Sequence, residues 1–217
     1  MLLKISNGQI ASNNGYIDTT TIDHTVSSPD DLCSAVYPNL TMKYLKPDWL
    51  CDRFVLAPTN AAVNTLIYNL LSQLPSEECC CRSVDAVTNL DQVTHFPTEF
   101  LNSQDTPGLP PHELHLKVGC PVILPCNLNA PTLCNGTCIV VKQMMDHVTE
   151  AQIIMKHTKN DTVYIPKISL TPTYCPYPMQ KLQFPLKLSF AVTINKAQAQ
   201  LLKVVGLDLR TLFFSHG

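Results

Sequence analysis

The sequence LQFPLKLSFAVTINKAQAQLLKVVGLDL, residues 182–209, decides the fold that we expect for this chain. Residues 186–192 are largely apolar and predict a buried strand, and residues 202–209 predict a second apolar strand. Four polar residues lie in the turn after the first strand: Thr193, Asn195, Lys196 and Gln198. Because open α/β sheets bind ligands beyond the carboxyl ends of their strands, this turn is the first candidate binding site.

A second strand with a polar carboxyl end is predicted at residues 53–58, RFVLAP. Thr59 and Asn60 follow it, and both residue types are good helix N-caps. Apolar residues then recur at helical spacing: Val63, Leu66, Ile67, Leu70 and Leu71. The free N–H groups at the start of this helix suit a phosphate, although an ordinary capped helix explains the same pattern. A shorter helix is predicted at residues 31–37, capped by Ser28 or Asp30.

The pattern of apolar and turn-forming residues changes between residues 113 and 170. Short β-branched runs alternate there with turn signals such as Asn135-Gly136, and the predicted strands are residues 114–118, 122–124, 137–141, 151–156 and 162–170. Strands this short and this closely spaced predict a small β-barrel. The sequence therefore predicts an α/β domain, built partly from residues 83–87 as another strand, that is interrupted by an inserted barrel.

Composition and charge restrict the class of protein. The chain has 217 residues, of which 45% are hydrophobic, so it is long enough to bury a real core. It contains no apolar run of the roughly 18 residues that a membrane helix needs, and its start does not resemble a signal peptide, so we expect an intracellular protein without a membrane partner. The net charge of −2 hides an acidic half, residues 1–109, and a basic half, residues 110–217, which permits a polyanionic partner.

The ten cysteines do not predict a metal site. Cys79, Cys80 and Cys81 are consecutive, and on an extended chain at most two of them face the same side. The spacing of four later cysteines lacks a two-residue knuckle, which favours buried or half-buried thiols on strands: Cys120, Cys126, Cys134 and Cys138. His112 and His115 have no third ligand nearby in the sequence. We therefore predict reduced thiols, structural histidines and no bound metal.

Motifs for independent catalysis are absent from the sequence. No GxxxxGK followed by Ser or Thr is present to cradle a nucleotide phosphate, and no GxSxG elbow is present to expose a nucleophilic serine. We therefore name no catalytic residue and expect no cofactor to be bound by this chain alone.

Five blocks of sequence, in order, closely resemble the Pif-type superfamily-one DNA helicases, and most nearly those carried by Helitron transposons. The blocks are LAPTNAAVNTL (56–66), FPTEFLNS (96–103), GLPPHELHLKVGCPVIL (108–124), NLNAPTLCNGT (127–137) and QFPLKLSFAVTINKAQAQ (183–200), with VGLDLR and FSHG behind them. The resemblance implies a partial second RecA-like motor domain with an inserted SH3-like barrel, called 2B. The implied boundaries are residues 1–95 and 181–217 for the RecA-like parts and 96–180 for the insertion, with its barrel core at about 113–170.

The resemblance also implies a function, namely ATP-dependent, 5′-to-3′ DNA unwinding with ATP and Mg²⁺ as cofactors of the intact family. DNA repair, recombination, telomere maintenance or Helitron transposition, in the nucleus, are the implied processes. Because the phosphate loop, the magnesium carboxylates and the arginine finger of the family are missing here, we expect a truncated chain that is inactive alone. The expected partners are single-stranded DNA, bound weakly, and a missing first RecA-like domain. The alternative is a non-enzymatic module that binds single-stranded DNA or protein, and a zinc protein is a third hypothesis.

The resemblance assigns roles residue by residue. The implied DNA-binding residues are Thr59, Asn60, Lys117, Thr193, Asn195, Lys196 and Gln198, and Gln198 also borders the nucleotide cleft. Lys117, Gly119, Asn135 and Gly136 mark the inserted barrel. The chain departs from the family at Ala199, where relatives have glycine, at Leu201, where they have Ser or Thr, and at Cys126 and Cys138, where they often have arginine.

Overall fold

The structure of the chain is a computed structural model, and it describes residues 24–88, 95–104, 106, 108–154, 161–172, 175–196 and 203–210. In the described part of the chain, no helix has both the length and the apolar character needed to cross a lipid bilayer.

A three-stranded parallel sheet forms the first part of the fold. Its central strand is β1 (Arg53–Ala57), flanked by β12 (Ala191–Thr193) and β13 (Val204–Leu207). Four helices accompany it: α1 (Pro29–Val36), α2 (Leu40–Lys43), α3 (Pro47–Cys51) and α4 (Asn60–Ser72). The predicted α/β arrangement with parallel strands at residues 53–58 and 202–209 is thus present, and α1 is capped by Ser28 as one of the two predicted residues.

Two helices pack on this sheet through the residues that the sequence pattern indicates. All five predicted apolar positions of α4, from Val63 to Leu71, are buried. On the same side of the sheet, beside α4, α1 packs so closely on β13 that a Cβ at Gly206 would lie 2.6 Å from the Cγ2 of Val36. Glycine at this position therefore allows the helix to approach the strand.

The predicted strand at residues 186–192 is wrong as a single element. It is divided into β11 (Lys187–Leu188) and β12, with Ser189 and Phe190 between them. The Ser189 N–H donates to Pro121 O at 3.0 Å, whereas Phe190 O accepts from Val55 N–H at 3.1 Å. The backbone therefore changes from one sheet to another within two residues. Because the residues are apolar and buried in both sheets, the sequence pattern does not show where the change occurs.

The second sheet has five antiparallel strands in the order β11, β5, β6, β7, β8. Its new strands are β5 (Pro121–Ile123), β6 (Cys138–Met144), β7 (Val148–Ile153) and β8 (Thr162–Pro166). Every pairing in this sheet is antiparallel. β11 and β8 remain its two edges in the described residues, so a closed barrel is not shown. Two of the five strands predicted for the barrel are corrected: residues 114–118 pair outside this sheet, and residues 162–170 are divided into β8 and a separate strand, Ile168–Leu170, of another sheet.

A separate antiparallel pair joins β2 (Glu78–Arg82) to β4 (Glu113–Lys117). Leu114 and Leu116 face the core, while Cys80 and His115 lie opposite each other on the outer side. Consecutive cysteines therefore alternate between the two sides, as predicted for an extended chain.

The remaining three-stranded sheet was not predicted as a unit. It joins β3 (Val84–Val87) to β10 (Met179–Gln183) and β9 (Ile168–Leu170), all antiparallel, near the short helix α5 (Thr98–Asn102). Strand β10 turns Lys181 and Gln183 inward and leaves Leu182 40% exposed. The Nζ of Lys181 lies 3.5 Å from Oδ2 of Asp85, and both side chains are fully buried.

Two glycines that mark the insertion occupy turns with positive φ. Gly119 has a φ of +86° between β4 and β5, and a Cβ there would collide with the ring of Tyr44. Gly136 has a φ of +84° in the predicted Asn135-Gly136 turn. Both turns therefore favour glycine for its backbone, and Gly119 also for its lack of a side chain.

Candidate nucleic-acid interface

The carboxyl ends of the parallel strands gather most of the predicted binding residues at one edge. Ala57 is paired with Thr193, and Leu56 is paired with Leu207, so β1, β12 and β13 end close together. Thr59 and Asn60 follow β1, whereas Thr193 ends β12 and Asn195 follows it. Four of the seven predicted residues thus lie at the same sheet edge, although more than 130 positions separate the first two from the last two in the chain.

Thr59 has a structural role at this edge. Its backbone is extended, with φ −123° and ψ 153°, and its hydroxyl oxygen accepts from Ala62 N–H at 3.2 Å. This cap fixes the first turn of α4 and leaves the hydroxyl proton available as a donor. Asn60 is exposed beside it and offers both a donor and an acceptor.

The turn after β12 is a short 3-10 helix, Ile194–Lys196. Thr193 is half-buried and Asn195 is exposed. The backbone of Lys196 belongs to this helix, but its side chain lies outside the described part of the structure. Gln198, Ala199 and Leu201 also lie outside the described residues, so their predicted roles stay predictions.

Arg210 is a cation that the sequence did not single out at this edge. Its guanidinium donates to both carboxylate oxygens of Asp208, through Nε at 2.8 Å and Nη2 at 2.7 Å. Asp208 is buried, and its N–H donates to Leu56 O at 2.8 Å. The hydrogen bond from Arg210 lowers the pKa of Asp208. The fixed carboxylate therefore orients an exposed guanidinium beyond the end of β13. In the sequence analysis Arg210 appears only as the last residue of the VGLDLR block.

Lys117 differs from the other predicted DNA contacts. Its side chain is buried, and its Nζ donates to Leu74 O at 3.0 Å, just beyond the end of α4. An ammonium that already satisfies a helix-end carbonyl in the interior is not available to a phosphate. The structure thus argues against the predicted DNA contact of Lys117 and supports a structural role.

A cleft of about 540 Å³ begins at Asn60 and continues along α4. Asn60, Asn64 and Tyr68 line it at a spacing of four residues, so they form one exposed stripe on the helix. The opposite wall includes Ser103, Gln104 and Lys187. Asn64 and Tyr68 were not predicted from the sequence, because the apolar pattern of α4 identifies its buried face and not which exposed residues line a cleft.

His112 lines this cleft, and its ring also contacts a buried serine and aspartate. Ser83 Oγ donates to Asp85 Oδ1 at 2.6 Å and lies 2.8 Å from His112 Nδ1. Because the serine hydroxyl is already held by the carboxylate, this group does not have the geometry of a nucleophilic triad, in which the histidine lies between the other two residues. The structural interpretation of His112 therefore agrees with its contacts.

Comparison with known proteins identifies part of the chain and its fold. A family model described as the 2B domain of DNA helicase Pif1 matches residues 99–144. No curated protein sequence matches the chain. Among solved structures, Pif1 helicase from Candida albicans is similar with a TM-score of 0.60 and 21% identity, over 87% of this chain and 45% of that one.

Two Bacteroides structures give the same result. Pif1 bound to single-stranded DNA has a TM-score of 0.55 and 18% identity over 74% of this chain and 35% of its own. Pif1 in complex with ADP-AlF3 and single-stranded DNA has a TM-score of 0.55 and 17% identity over 86% and 41%, respectively. The chain thus spans less than half of the length of these structures. Residues 99–144 thus match the Pif1 2B domain, and the chain shares the fold of the Pif1 helicase structures.

Proposed function

We propose that the chain is the C-terminal portion of an ATP-dependent 5′-to-3′ DNA helicase and that it contributes one side of a single-stranded DNA path. In this proposal residues 1–95 and 181–217 are parts of a second RecA-like domain. Residues 96–180 are the 2B insertion, in which β5, β6, β7 and β8 are the core of an SH3-like fold, and β11 of the second RecA-like part completes their sheet. A nuclear role in DNA repair, recombination, telomere maintenance or Helitron transposition is part of the same proposal.

The observation that carries this proposal is the shared carboxyl edge of β1, β12 and β13. It presents hydroxyls at Thr59 and Thr193, amides at Asn60 and Asn195, and the guanidinium of Arg210. Such groups suit phosphate and sugar contacts, which position a strand without reading its sequence. A motor that moves along any sequence needs contacts of this kind.

The cleft along α4 supports a continuation of the DNA path. Tyr68 is 56% exposed, and a base can stack on an aromatic ring of any accessible tyrosine. Asn60 belongs both to the edge and to the cleft, so the two surfaces are continuous. Two Bacteroides Pif1 structures contain single-stranded DNA, which supports this class of ligand for a chain of the same fold.

The proposed DNA surface is tested by fluorescence anisotropy with a labelled single-stranded oligonucleotide. We expect weak binding at low salt that decreases as salt rises, and we expect Lys196→Ala to reduce the slope of log affinity against log salt by about 0.7. Lys46→Ala is the matched control, because it removes the same charge from an exposed side chain that lies before α3, the helix that precedes β1 in the chain. Equal slopes for the two variants would refute the assigned surface.

We propose that this polypeptide alone does not hydrolyse ATP and binds neither ATP nor Mg²⁺ productively. Phosphoryl transfer needs a phosphate cradle, a metal and a cationic finger together, and GxxxxGK does not occur in the sequence. In the intact family member, a first RecA-like domain supplies the nucleotide site, and Gln198 of this chain borders it. Phosphate release above a no-protein control, measured with single-stranded DNA present, would contradict this proposal.

The second candidate function is a non-enzymatic protein-interaction module. Phe96, Phe100 and Tyr177 form an aromatic cluster at the surface, with the Phe96 and Tyr177 rings stacked at 4.7 Å between centroids. Phe100 is 39% exposed, and aromatic residues are enriched in the cores of protein interfaces. Absence of oligonucleotide binding by the folded chain at low salt would favour this function over the DNA path.

A further inference from the structure

Three side chains on the outer side of the β2–β4 pair form a cluster of metal-ligand type. The ligand atoms of Cys80, Glu113 and His115 all lie within 4.8 Å of one another. Cys80 and His115 are directly paired across the two strands, and Glu113 precedes His115 by two positions on the same side of β4. The cluster therefore rests on the regular register of two strands and not on a loop.

The orientation of His115 is set by a fourth residue. Nδ1 of its ring lies 2.7 Å from Oε1 of Glu78, which is near it on the same side of the strand pair. A carboxylate that accepts from Nδ1–H favours the tautomer whose Nε2 carries the free lone pair. This carboxylate–histidine arrangement is the one that commonly supports a metal-binding imidazole.

We propose that Cys80, Glu113 and His115 bind a zinc-type divalent cation and that Glu78 positions His115 for it. Thiolate, imidazole and carboxylate together are the ligand types of zinc, whereas magnesium and calcium prefer oxygen ligands. Three protein ligands leave one tetrahedral position open. Glu113 and His115 line the 540 Å³ cleft, which gives that position access to water or to another oxygen ligand.

The site needs only small movements to close on an ion. Zinc bonds of about 2.0–2.3 Å place tetrahedral ligand atoms about 3.5 Å apart, so ligand atoms up to 4.8 Å apart must converge by about 1 Å. Cys80 and Glu113 are exposed and are not held by core packing. The competing group is Arg82, whose Nε lies 3.1 Å from Glu113, but both side chains are largely exposed and separate at little cost.

The metal site does not rest on the proposed helicase function, although Glu113 and His115 line the same cleft as Tyr68. It does not use the edge formed by β1, β12 and β13, and it predicts metal binding by the chain without DNA or nucleotide. The sequence interpretation missed it because Cys80 and His115 are 35 positions apart and only the strand register brings them together.

Cobalt titration of the purified full chain tests the proposal. Tetrahedral Co²⁺ bound to a thiolate absorbs in the near ultraviolet by charge transfer and in the visible by d–d transitions, so the spectrum reports the ligands directly. We expect about one Co²⁺ per chain, displaced by Zn²⁺, and one zinc per chain by elemental analysis after dialysis. We expect Cys80→Ser to abolish the charge-transfer band and His115→Ala to weaken binding at least tenfold.

Matched controls separate this site from adventitious thiol binding. Cys175→Ser and His147→Ala remove the same chemical groups outside the cluster and are expected to leave the cobalt spectrum and stoichiometry unchanged. Glu78→Gln is expected to weaken cobalt binding by about 10–100-fold while keeping the charge-transfer band, as the loss of a positioning residue does. Circular dichroism verifies that each variant is folded.

Two results would overturn the proposal. One is a wild-type cobalt spectrum in folded Cys80→Ser and His115→Ala, and the other is no cobalt absorption by the wild-type chain at a large excess of Co²⁺. Wild-type affinity in Glu78→Gln would overturn the positioning role. Failure of DNA binding leaves the metal result unaffected, so the two proposals are tested separately.

Discussion

The parallel sheet and the sheet formed by β3, β10 and β9 bury different kinds of residue. In the parallel sheet, Val55 and Ala57 are fully buried and pack against the apolar face of α4. In the antiparallel sheet, β10 buries Lys181 and Gln183 and exposes Leu182 to 40%. One region is stabilised by apolar burial, which is non-directional, and the other depends on polar groups that must be paired.

The difference has consequences for tolerance to substitution. Gln183 donates to Cys81 O at 2.8 Å and to His112 O at 3.1 Å, so it links β10 to two other segments. An apolar core accepts side chains of similar volume, whereas a buried ion pair does not accept loss of one partner. The predictions below separate these two modes of stabilisation.

The largest effect is expected for Lys181→Met, which removes the cation beside buried Asp85. The uncompensated carboxylate should reduce the free energy of unfolding by about 3–5 kcal/mol, measured by urea denaturation. Lys181→Met combined with Asp85→Asn should be milder than the single variant, because no buried charge is then left unpaired. Leu182→Ala, on the exposed side of the same strand, is the control and should cost much less. A cost for Lys181→Met as small as that of the control would contradict a polar core in this sheet.

A comparable loss by a different mechanism is expected for Leu70→Ala in α4. Leu70 is fully buried, so its truncation should cost about 2–5 kcal/mol through lost burial and a residual cavity. Asn64→Ala on the exposed stripe of the same helix should lie within about 0.5 kcal/mol of the wild type. A conservative Leu70→Met should recover most of the loss, and failure to do so would indicate that shape rather than apolar burial governs this region.

A smaller effect is expected at the edge that carries the proposed DNA surface. Thr59→Ala removes the hydroxyl that accepts from Ala62 N–H and should cost about 1 kcal/mol of unfolding free energy. Thr65→Ala is the matched control, since Thr65 lies within the same helix and its hydroxyl donates to Ala61 O without capping the helix. If both threonine variants have the same stability, the cap does not contribute as the geometry indicates.

The same contrast explains what the sequence could predict. The parallel strands and the five buried positions of α4 follow from apolar patterning, because burial and hydrophobicity coincide there. In β10 the usual alternation of buried apolar and exposed polar residues is inverted, since Lys181 and Gln183 are buried and Leu182 is exposed. Hydrophobicity alone therefore predicts the wrong face of this strand as the buried one. The pairing of Lys181 with Asp85 also spans 96 positions and has no local signature.

The candidate sites divide in a similar way. Thr59, Asn60, Thr193 and Asn195 share one sheet edge because parallel strands bring their carboxyl ends together by rule, and their DNA contacts stay a prediction. The orientation of the Arg210 guanidinium depends on its hydrogen bonds to Asp208, and the buried ammonium of Lys117 donates to Leu74 O. Neither contact can be predicted from composition or from spacing in the sequence. Residues whose position follows from strand direction are thus predictable, whereas those whose role depends on a tertiary partner are not.

The smallest effect is expected for the Asp208–Arg210 pair, because the side chain of Arg210 is 59% exposed and solvent screens the interaction. The hydrogen bond from Arg210 lowers the pKa of Asp208 in the folded state, so the pair stabilises the fold above the unfolded pKa of about 3.9. This stabilisation is lost as the pH falls through the lowered pKa. The difference in Tm between the wild type and Asp208→Asn should therefore be constant near neutral pH and should shrink below about pH 4.

Arg210→Gln should return the pKa of Asp208 toward its usual value, as measured by the NMR titration of its carboxyl carbon. An unchanged titration in that variant would mean that the remaining hydrogen bond, from the backbone N–H of Arg210 to Asp208 Oδ1 at 3.3 Å, keeps this pKa low, because burial acts in the opposite direction and raises it.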